Sequence, residues 1–228
     1  MSKILISTGM RVGSTWIGRM VCDILKTATV PAFIKSKDST VSLAHHVDFL
    51  NTHSNRNIFK SHEIMPDKYE ELHSLVPDLK IINIIRNEED ALYSRFKYAK
   101  YHKPCDYIRS IIGDDFFLEN DEHSINLLIK EDTILSSWTK ELRDFSIEYN
   151  NSFILTLHYE KLVNHDKSEF DRLFKFLEVS PSLHFLEYFI SKHSFENYQK
   201  NEKNKHIQRK DSELFYRSGK IGEGFRKF

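Results

Sequence analysis

The stretch KIINIIR, residues 80–86, constrains the fold more than any other part of the chain. Its isoleucines fall on both alternating faces of an extended backbone, so a strand of this sequence needs apolar cover on each side. β-Branched residues also favour the pleated conformation. Three further runs have strand character: KILIST at 3–8, NIFKSH at 57–62 and SFILTLHYE at 152–160. Helical patterns lie between and beyond them. STWIGRMVCDILKT puts Trp16, Met20 and Ile24 on one face with Ile17, Val21 and Leu25 one step on, and a Ser/Thr cap is expected at its start. NEEDALYSRFKYAKY opens with acidic residues, as a helix N-terminus prefers, and SEFDRLFKFLEV keeps helical spacing until Ser180–Pro181. Strand–helix alternation of this kind predicts an α/β fold of three layers, a central parallel sheet flanked by helices on both faces. Ligands in such folds sit beyond the carboxyl ends of the strands, which is where the unusual polar residues of this chain fall.

The 228 residues contain only 7 Gly and 5 Pro, with no Gly/Ser/Pro-rich linker and no repeat, so one domain over 1–228 is expected. Lys plus Arg and Asp plus Glu both total 33, and this balance argues against a nucleic-acid coat while leaving room for a local basic pocket. Two cysteines, Cys22 and Cys105, make neither a disulfide framework nor a zinc site and read as small buried residues. No apolar run approaches the roughly 20 residues of a membrane span, and MSKILIST is too short for a secretory signal. A cytoplasmic protein is the expectation. The stretch from Tyr101 to about Glu131 is the least regular, and it reads equally as an acceptor lid or as a solvated excursion.

Three constellations carry chemistry. The first is ILISTGMRVGSTW, residues 4–16, a strand breaking into a glycine-containing turn before a helix. Backbone N–H groups converge at such a turn, where the helix dipole also favours an anion. Ser14 and Thr15 add hydroxyls, and Arg11 adds a charge that can fork onto two oxygens. A plain capping turn would need only Ser14 or Thr15. The nucleotide-hydrolysing pattern, with Lys-Ser/Thr directly after its second glycine, is absent. The second is FKSHEIMP, where alternation puts Lys60 and His62 on one face at a strand end. A cation beside an imidazole suits charge neutralisation with proton abstraction, although a chain with 12 histidines can place one near a lysine for structural reasons. The third is IIRNEEDALYS, where Arg86 ends a strand and Ser94 follows eight residues later, about two helical turns. Together they suit a phosphate; an ion pair of Arg86 with Glu88, Glu89 or Asp90 is the alternative.

Taken in order, these pieces resemble the sulfotransferases that use 3′-phosphoadenosine 5′-phosphosulfate (PAPS), particularly the soluble cytosolic type. STGMRVGSTW resembles the family's 5′-phosphosulfate loop, with Arg11 at the usual lysine, Gly13, Ser14 and Thr15 in the phosphate turn, and Trp16 against the adenine. FKSHEIMP resembles the Lys-Thr-His-Leu-Pro segment, which implies Lys60 as the sulfuryl contact and His62 as the catalytic base. IINIIRNEEDALYS is similar to the 3′-phosphate strand and helix through Arg86 and Ser94. LTLHYEKL is similar to the Tyr-Glu-Asp-Leu strand end, making Tyr159 a nucleotide contact, and KHSFENYQKN to the Ser-Phe segment beside the adenine, through Ser194 and Phe195. FYRSGKIGEGFRKF resembles the C-terminal Arg-Lys-Gly loop, assigning Arg217, Ser218 and Gly219 to the 3′-phosphate.

The chain departs from the family pattern in three places. Arg11 keeps the charge of the usual lysine but not its reach, Gly9 and Met10 replace the common Tyr-Pro, and Gly222-Glu223-Gly224 stands where Gly-Asp-Trp is usual. The resemblance implies a three-layer P-loop-like fold, PAPS as donor with adenosine 3′,5′-bisphosphate as product, and arginine and lysine in place of a metal. It implies a small-molecule or glycan acceptor, no nucleic-acid partner, no membrane span, and a monomer or homodimer. Two other classes stay open from the residues alone, a P-loop small-molecule or nucleoside kinase and a catalytically silent nucleotide-binding protein. The segments expected to shape the acceptor pocket are Val30–Asn57 and Tyr101–Ser137, with Phe33, His45, His46, Phe49, Tyr101, His102, Tyr107, Phe116 and Phe117.

Overall fold

The computed structural model describes residues 2–9, 12–27, 31–34, 42–53, 57–101 and 151–205. Among these, the elements run β1 (Lys3–Ser7), α1 (Ser14–Ile24), β2 (Ala32–Phe33), α2 (Leu43–Thr52), β3 (Ile58–Ser61), a single 3₁₀ turn (Pro66–Lys68), α3 (Tyr69–Leu75), β4 (Leu79–Ile85), α4 (Glu88–Tyr101), β5 (Ile154–His158), α5 (Tyr159–Val163), α6 (Lys167–Phe176), α7 (Leu183–Lys192) and α8 (Phe195–Lys205).

The strands form one five-stranded sheet in the order β2-β3-β1-β4-β5, with every pair parallel. Ser7 is level with Ser61 on one side and with Asn83 on the other, so the carboxyl ends of β3, β1 and β4 come out together. The chain passes from β3 to β4 across β1, and this reversal of strand order is where α/β sheets open a crevice for ligands.

Alternation sorts the strand side chains into two cores. Ile4, Ile6, Ile82, Ile84, Leu155 and Leu157 pack with α1, α6 and α7 on one face. Leu5, Phe59, Leu79, Ile81 and Ile154 pack with α2 and α3 on the other. Helices on both faces make three layers, as the two-sided KIINIIR run requires, and β4 is indeed an inner strand. Each of the four strand runs read from the sequence is present. The sequence carries no comparable signal for β2, which is only two residues long and is recruited through pairing with β3. Cys22 is buried in the α1 core; Cys105 lies outside the described residues. No helix among the described residues is long and apolar enough to cross a membrane.

One buried carboxylate fastens the edge of the sheet. Glu169 of α6 accepts from the His158 backbone N–H at 2.6 Å and from Arg172 at 2.9 Å, while Arg172 also donates to the Thr156 carbonyl at 2.9 Å. The end of β5, and with it the start of α5 at Tyr159, is thereby held against α6.

Candidate active site

The turn after β1 is built on Gly13, whose φ of 105° lies in the left-handed region that glycine alone enters without strain. A Cβ at this position would stand 3.1 Å from the Tyr159 ring, so the turn also needs the missing side chain for space. The expected Ser/Thr cap is not formed: Gly13 occupies the cap position and has no side chain to accept from the first turn of α1. No side chain among the described residues caps the amides of that turn, which lie at the positive end of the helix dipole, an arrangement that suits an anion. Ser14 is buried at the helix start, and Thr15 accepts a hydrogen bond from elsewhere, 3.1 Å from Lys60 Nζ.

That lysine comes from β3, next to β1. His62 follows one residue beyond the strand, and its Nδ1 lies 2.8 Å from the Thr8 carbonyl oxygen. A carbonyl only accepts, so Nδ1 carries the hydrogen and the ring lone pair is on Nε2. Thr8 Oγ1 donates to the Gly9 carbonyl at 3.0 Å and sits 3.4 Å from the same Nδ1. Lys60 and His62 do share a face: the Phe33 ring is 5.4 Å from Lys60 Nζ and 5.5 Å, edge to face, from the His62 ring. Ser61, between them, points the other way, buried 2.9 Å from His46 Nε2 and accepting from the Glu63 backbone N–H at 3.1 Å. Burial pushes the His46 imidazole below its ordinary pKa, so it serves as a neutral partner.

On the other side of β1, Arg86 leaves the end of β4 with its guanidinium 4.2 Å from the centroid of the Tyr159 ring. The next residue, Asn87, donates its backbone N–H to Glu160 Oε1 at 2.8 Å and accepts from the Asp90 amide at 3.0 Å, capping α4. Ser94 is half-buried further along this helix. Tyr159 is itself buried, between Arg86 and the Gly13 turn, and meets Trp16 edge to face at 5.7 Å. Trp16 in turn meets Phe195 at 6.0 Å and donates from Nε1 to the His193 carbonyl at 2.8 Å. Ser194 accepts from the Asn197 amide at 3.3 Å where α8 begins.

Gly13, Ser14, Thr15, Trp16, Lys60, His62, Arg86, Tyr159, Ser194 and Phe195 therefore form a linked set across the carboxyl ends of β3, β1, β4 and β5. Arg11, Arg217, Ser218 and Gly219 lie outside the described residues, as do Met10, the Gly222-Glu223-Gly224 segment and most of the expected acceptor region. Thr8, Glu160 and His193 are not singled out in the sequence, although each stands within or beside a motif; Phe33 is read there only as an acceptor-pocket residue, and its contacts with Lys60 and His62 arise through packing.

A family model for the sulfotransferase domain matches residues 1–227. The chain belongs to the sulfotransferase family. The fold of this sulfotransferase is similar to that of mouse sulfotransferase SULT7A1 complexed with PAP, with a TM-score of 0.70 at 20% identity, covering 100% of this chain and 78% of the other. It is also similar to retinol dehydratase in complex with androsterone and the inactive cofactor PAP, with a TM-score of 0.68 at 14% identity and coverage of 99% and 76%. The same enzyme in a complex with retinol and PAP gives 0.66 at 14% identity, again covering 99% and 76%. No match was found among curated protein sequences.

Proposed function

We propose that this sulfotransferase transfers the sulfuryl group of PAPS to a hydroxyl of a small-molecule or glycan acceptor, with His62 as general base. The observation that carries the reading is the meeting of Lys60 with Thr15 at 3.1 Å, beside a His62 whose Nδ1–H is taken up by Thr8. Lys60 thereby brings a cation to the first turn of α1, and the His62 imidazole lies on the same face, beside the same Phe33 ring. PAPS supplies an activated sulfuryl group on a good leaving phosphate.

The residues divide the work by charge. The amides at Gly13, Ser14 and Thr15 receive the 5′-phosphate, and Lys60 with Arg11 neutralises the charge that collects there as the bond from sulfur to the bridging oxygen breaks. His62 Nε2 takes the acceptor's hydroxyl proton as the new oxygen–sulfur bond forms. Arg86, Ser94, Arg217, Ser218 and Gly219 hold the 3′-phosphate, while Trp16, Tyr159, Ser194 and Phe195 border the adenine. Positioning and electrostatics supply most of the rate in transfers of this type, by analogy with phosphoryl transfer.

The test is mass spectrometry of acceptor mixtures incubated with the protein and PAPS, in which an acceptor should gain the mass of one SO₃ group. A thermal-shift panel runs beside it: adenosine 3′,5′-bisphosphate should raise the melting temperature and ATP with Mg²⁺ should not. Selective stabilisation by ATP would point to a kinase, and binding of the bisphosphate with no transfer to any acceptor would point to a silent nucleotide-binding protein.

A further inference from the structure

The turn between α7 and α8 is fastened to α1 by a relay of polar groups centred on one buried imidazole. His193 is 3% exposed. Its Nε2 is 2.8 Å from Asp23 Oδ2 on α1, and its Nδ1 is 2.7 Å from the Tyr198 hydroxyl on α8. A carboxylate only accepts, so Nε2 carries the hydrogen and Nδ1 accepts from the phenol. The direction of every hydrogen bond is thereby set, from Tyr198 through His193 to Asp23. Asp23 stands seven residues after Trp16, two turns along the same helix face. It also accepts from Lys192 Nζ at 2.8 and 2.9 Å. Arg19, between Trp16 and Asp23 on α1, lays its guanidinium 5.3 Å from the centroid of the Tyr198 ring.

The backbone of the same histidine closes the loop. The His193 carbonyl accepts from Trp16 Nε1, and the two residues after it are Ser194 and Phe195, the second of which meets the Trp16 ring. The imidazole therefore sets where the turn sits, and the turn sets the separation of the Trp16 and Phe195 rings. Purely apolar packing would hold these helices together but would tolerate sliding; a chain of directional bonds to one ring does not. Burial, together with the charges of Lys192 and Arg19, keeps the imidazole neutral against the pull of Asp23.

We propose that His193 is the positioning residue of the donor's adenine pocket, fixing the Trp16 and Phe195 walls through Asp23 and Tyr198 and so setting base preference. The inference rests on the PAPS reading. Its test is calorimetry on the full chain with two probes, adenosine 3′,5′-bisphosphate and uridine 3′,5′-bisphosphate, which offer the same phosphates on different bases. His193→Ala should weaken the adenosine nucleotide about tenfold and change the uridine nucleotide little, since the lost ring releases the directional bonds that hold the turn carrying Phe195 against α1, while the phosphate side is untouched. His193→Gln, which keeps an N–H to offer Asp23, should recover part of the preference. Tyr198→Phe, which removes one hydroxyl, should lower it in a protein that still folds, and this variant decides the matter if the alanine variant does not fold. Equal weakening of both nucleotides, or none in a folded His193 or Tyr198 variant, overturns the proposal. Failure of the unaltered protein to bind adenosine 3′,5′-bisphosphate at all overturns the donor reading, and the inference with it.

Discussion

The guanidinium of Arg86 lies over the Tyr159 ring, 4.2 Å from its centroid, although the two residues come from different strand ends. β4 and β5 are neighbours in the sheet, so residues just past their ends are delivered side by side. Glu160, next to Tyr159, accepts from the Asn87 amide next to Arg86, and the pair of contacts locks the two strand ends in register. The stack holds the fork of Arg86 in one orientation, so a phosphate bound there, as proposed, would cost little side-chain entropy. Arg86→Ala should weaken adenosine 3′,5′-bisphosphate by about 2 kcal/mol or more, the range of a lost charge-assisted contact. Arg86→Lys should not restore it, because a point charge neither forks nor stacks as guanidinium does. Titration calorimetry checks both, and unaltered affinity in the alanine variant would remove Arg86 from the 3′-phosphate site.

Gly13 makes a separate prediction, about stability. Its φ of 105° costs any L-residue about 1–2 kcal/mol. The Cβ would also press on the Tyr159 ring at 3.1 Å, and that ring is pinned on its other side by Arg86. Gly13→Ala should therefore lower the melting temperature by several degrees, roughly 2–4 °C for each kcal/mol lost in a domain of this size. It should weaken the nucleotide as well, because the Arg86 stack moves with the ring. A variant that melts and binds like the unaltered protein would mean that the turn can take an ordinary φ.

How far the sequence discloses this arrangement depends on the range of each signal. The sheet was legible because alternation is local: Ile82 and Ile84 against Leu79 and Ile81 announce a strand covered on both sides without reference to any partner. The strand–turn–helix at residues 4–16 was legible in outline and misread in one detail. Ser14 and Thr15 are good capping residues by type, but Gly13 takes the cap position in a left-handed conformation, and Thr15 is turned toward Lys60 instead. Alternation also placed Lys60 and His62 together correctly, even though the strand stops at Ser61. What remained hidden depends on contacts between distant parts of the chain. No period or motif links Asp23 to His193, which are 170 residues apart, or Phe33 to His62 across a two-residue strand.

Two buried imidazoles predict a pH dependence of folding. His46 and His193 are both held below the ordinary value of 6.5, chiefly by burial. The unfolded chain therefore takes up protons at these positions as the pH falls through about 6.5, while the folded chain does so only at lower pH. In that window the unfolded state binds more protons, so stability drops as the pH falls, and above it these two groups contribute no slope. Asp23 adds a second, more acidic window. Burial opposes its ionisation, but the hydrogen bonds and charges of Lys192 and His193 more than offset this and hold the carboxyl below 3.8. Its contribution is present above that value and is lost as the pH falls through the lowered one. Urea midpoints measured between about pH 7.5 and 5 should fall toward acid, and a joint His46→Gln, His193→Gln variant should show a shallower decline. A flat profile in the unaltered protein would mean that both rings are accommodated in their charged form.

The sharpest division of labour is predicted at His62. Its Nδ1–H is occupied by Thr8, so the imidazole presents Nε2 as the basic nitrogen, while Lys60, two residues earlier, bonds to Thr15 in the first turn of α1. On the proposed reading, proton abstraction and nucleotide binding rest on different atoms, so removing the first should spare the second. His62→Ala should lower turnover with PAPS by about 10²-fold or more, the usual worth of a general base, while affinity for adenosine 3′,5′-bisphosphate stays close to its original value. His62→Asn sharpens the result. Its amide N–H is able to keep the bond to Thr8 but brings no basic nitrogen, so it should lose as much activity as the alanine variant. Recovery of turnover in the asparagine variant would show that His62 holds the loop in shape and takes no proton. A matching loss in both variants, with the nucleotide still bound, leaves the missing base as the cause.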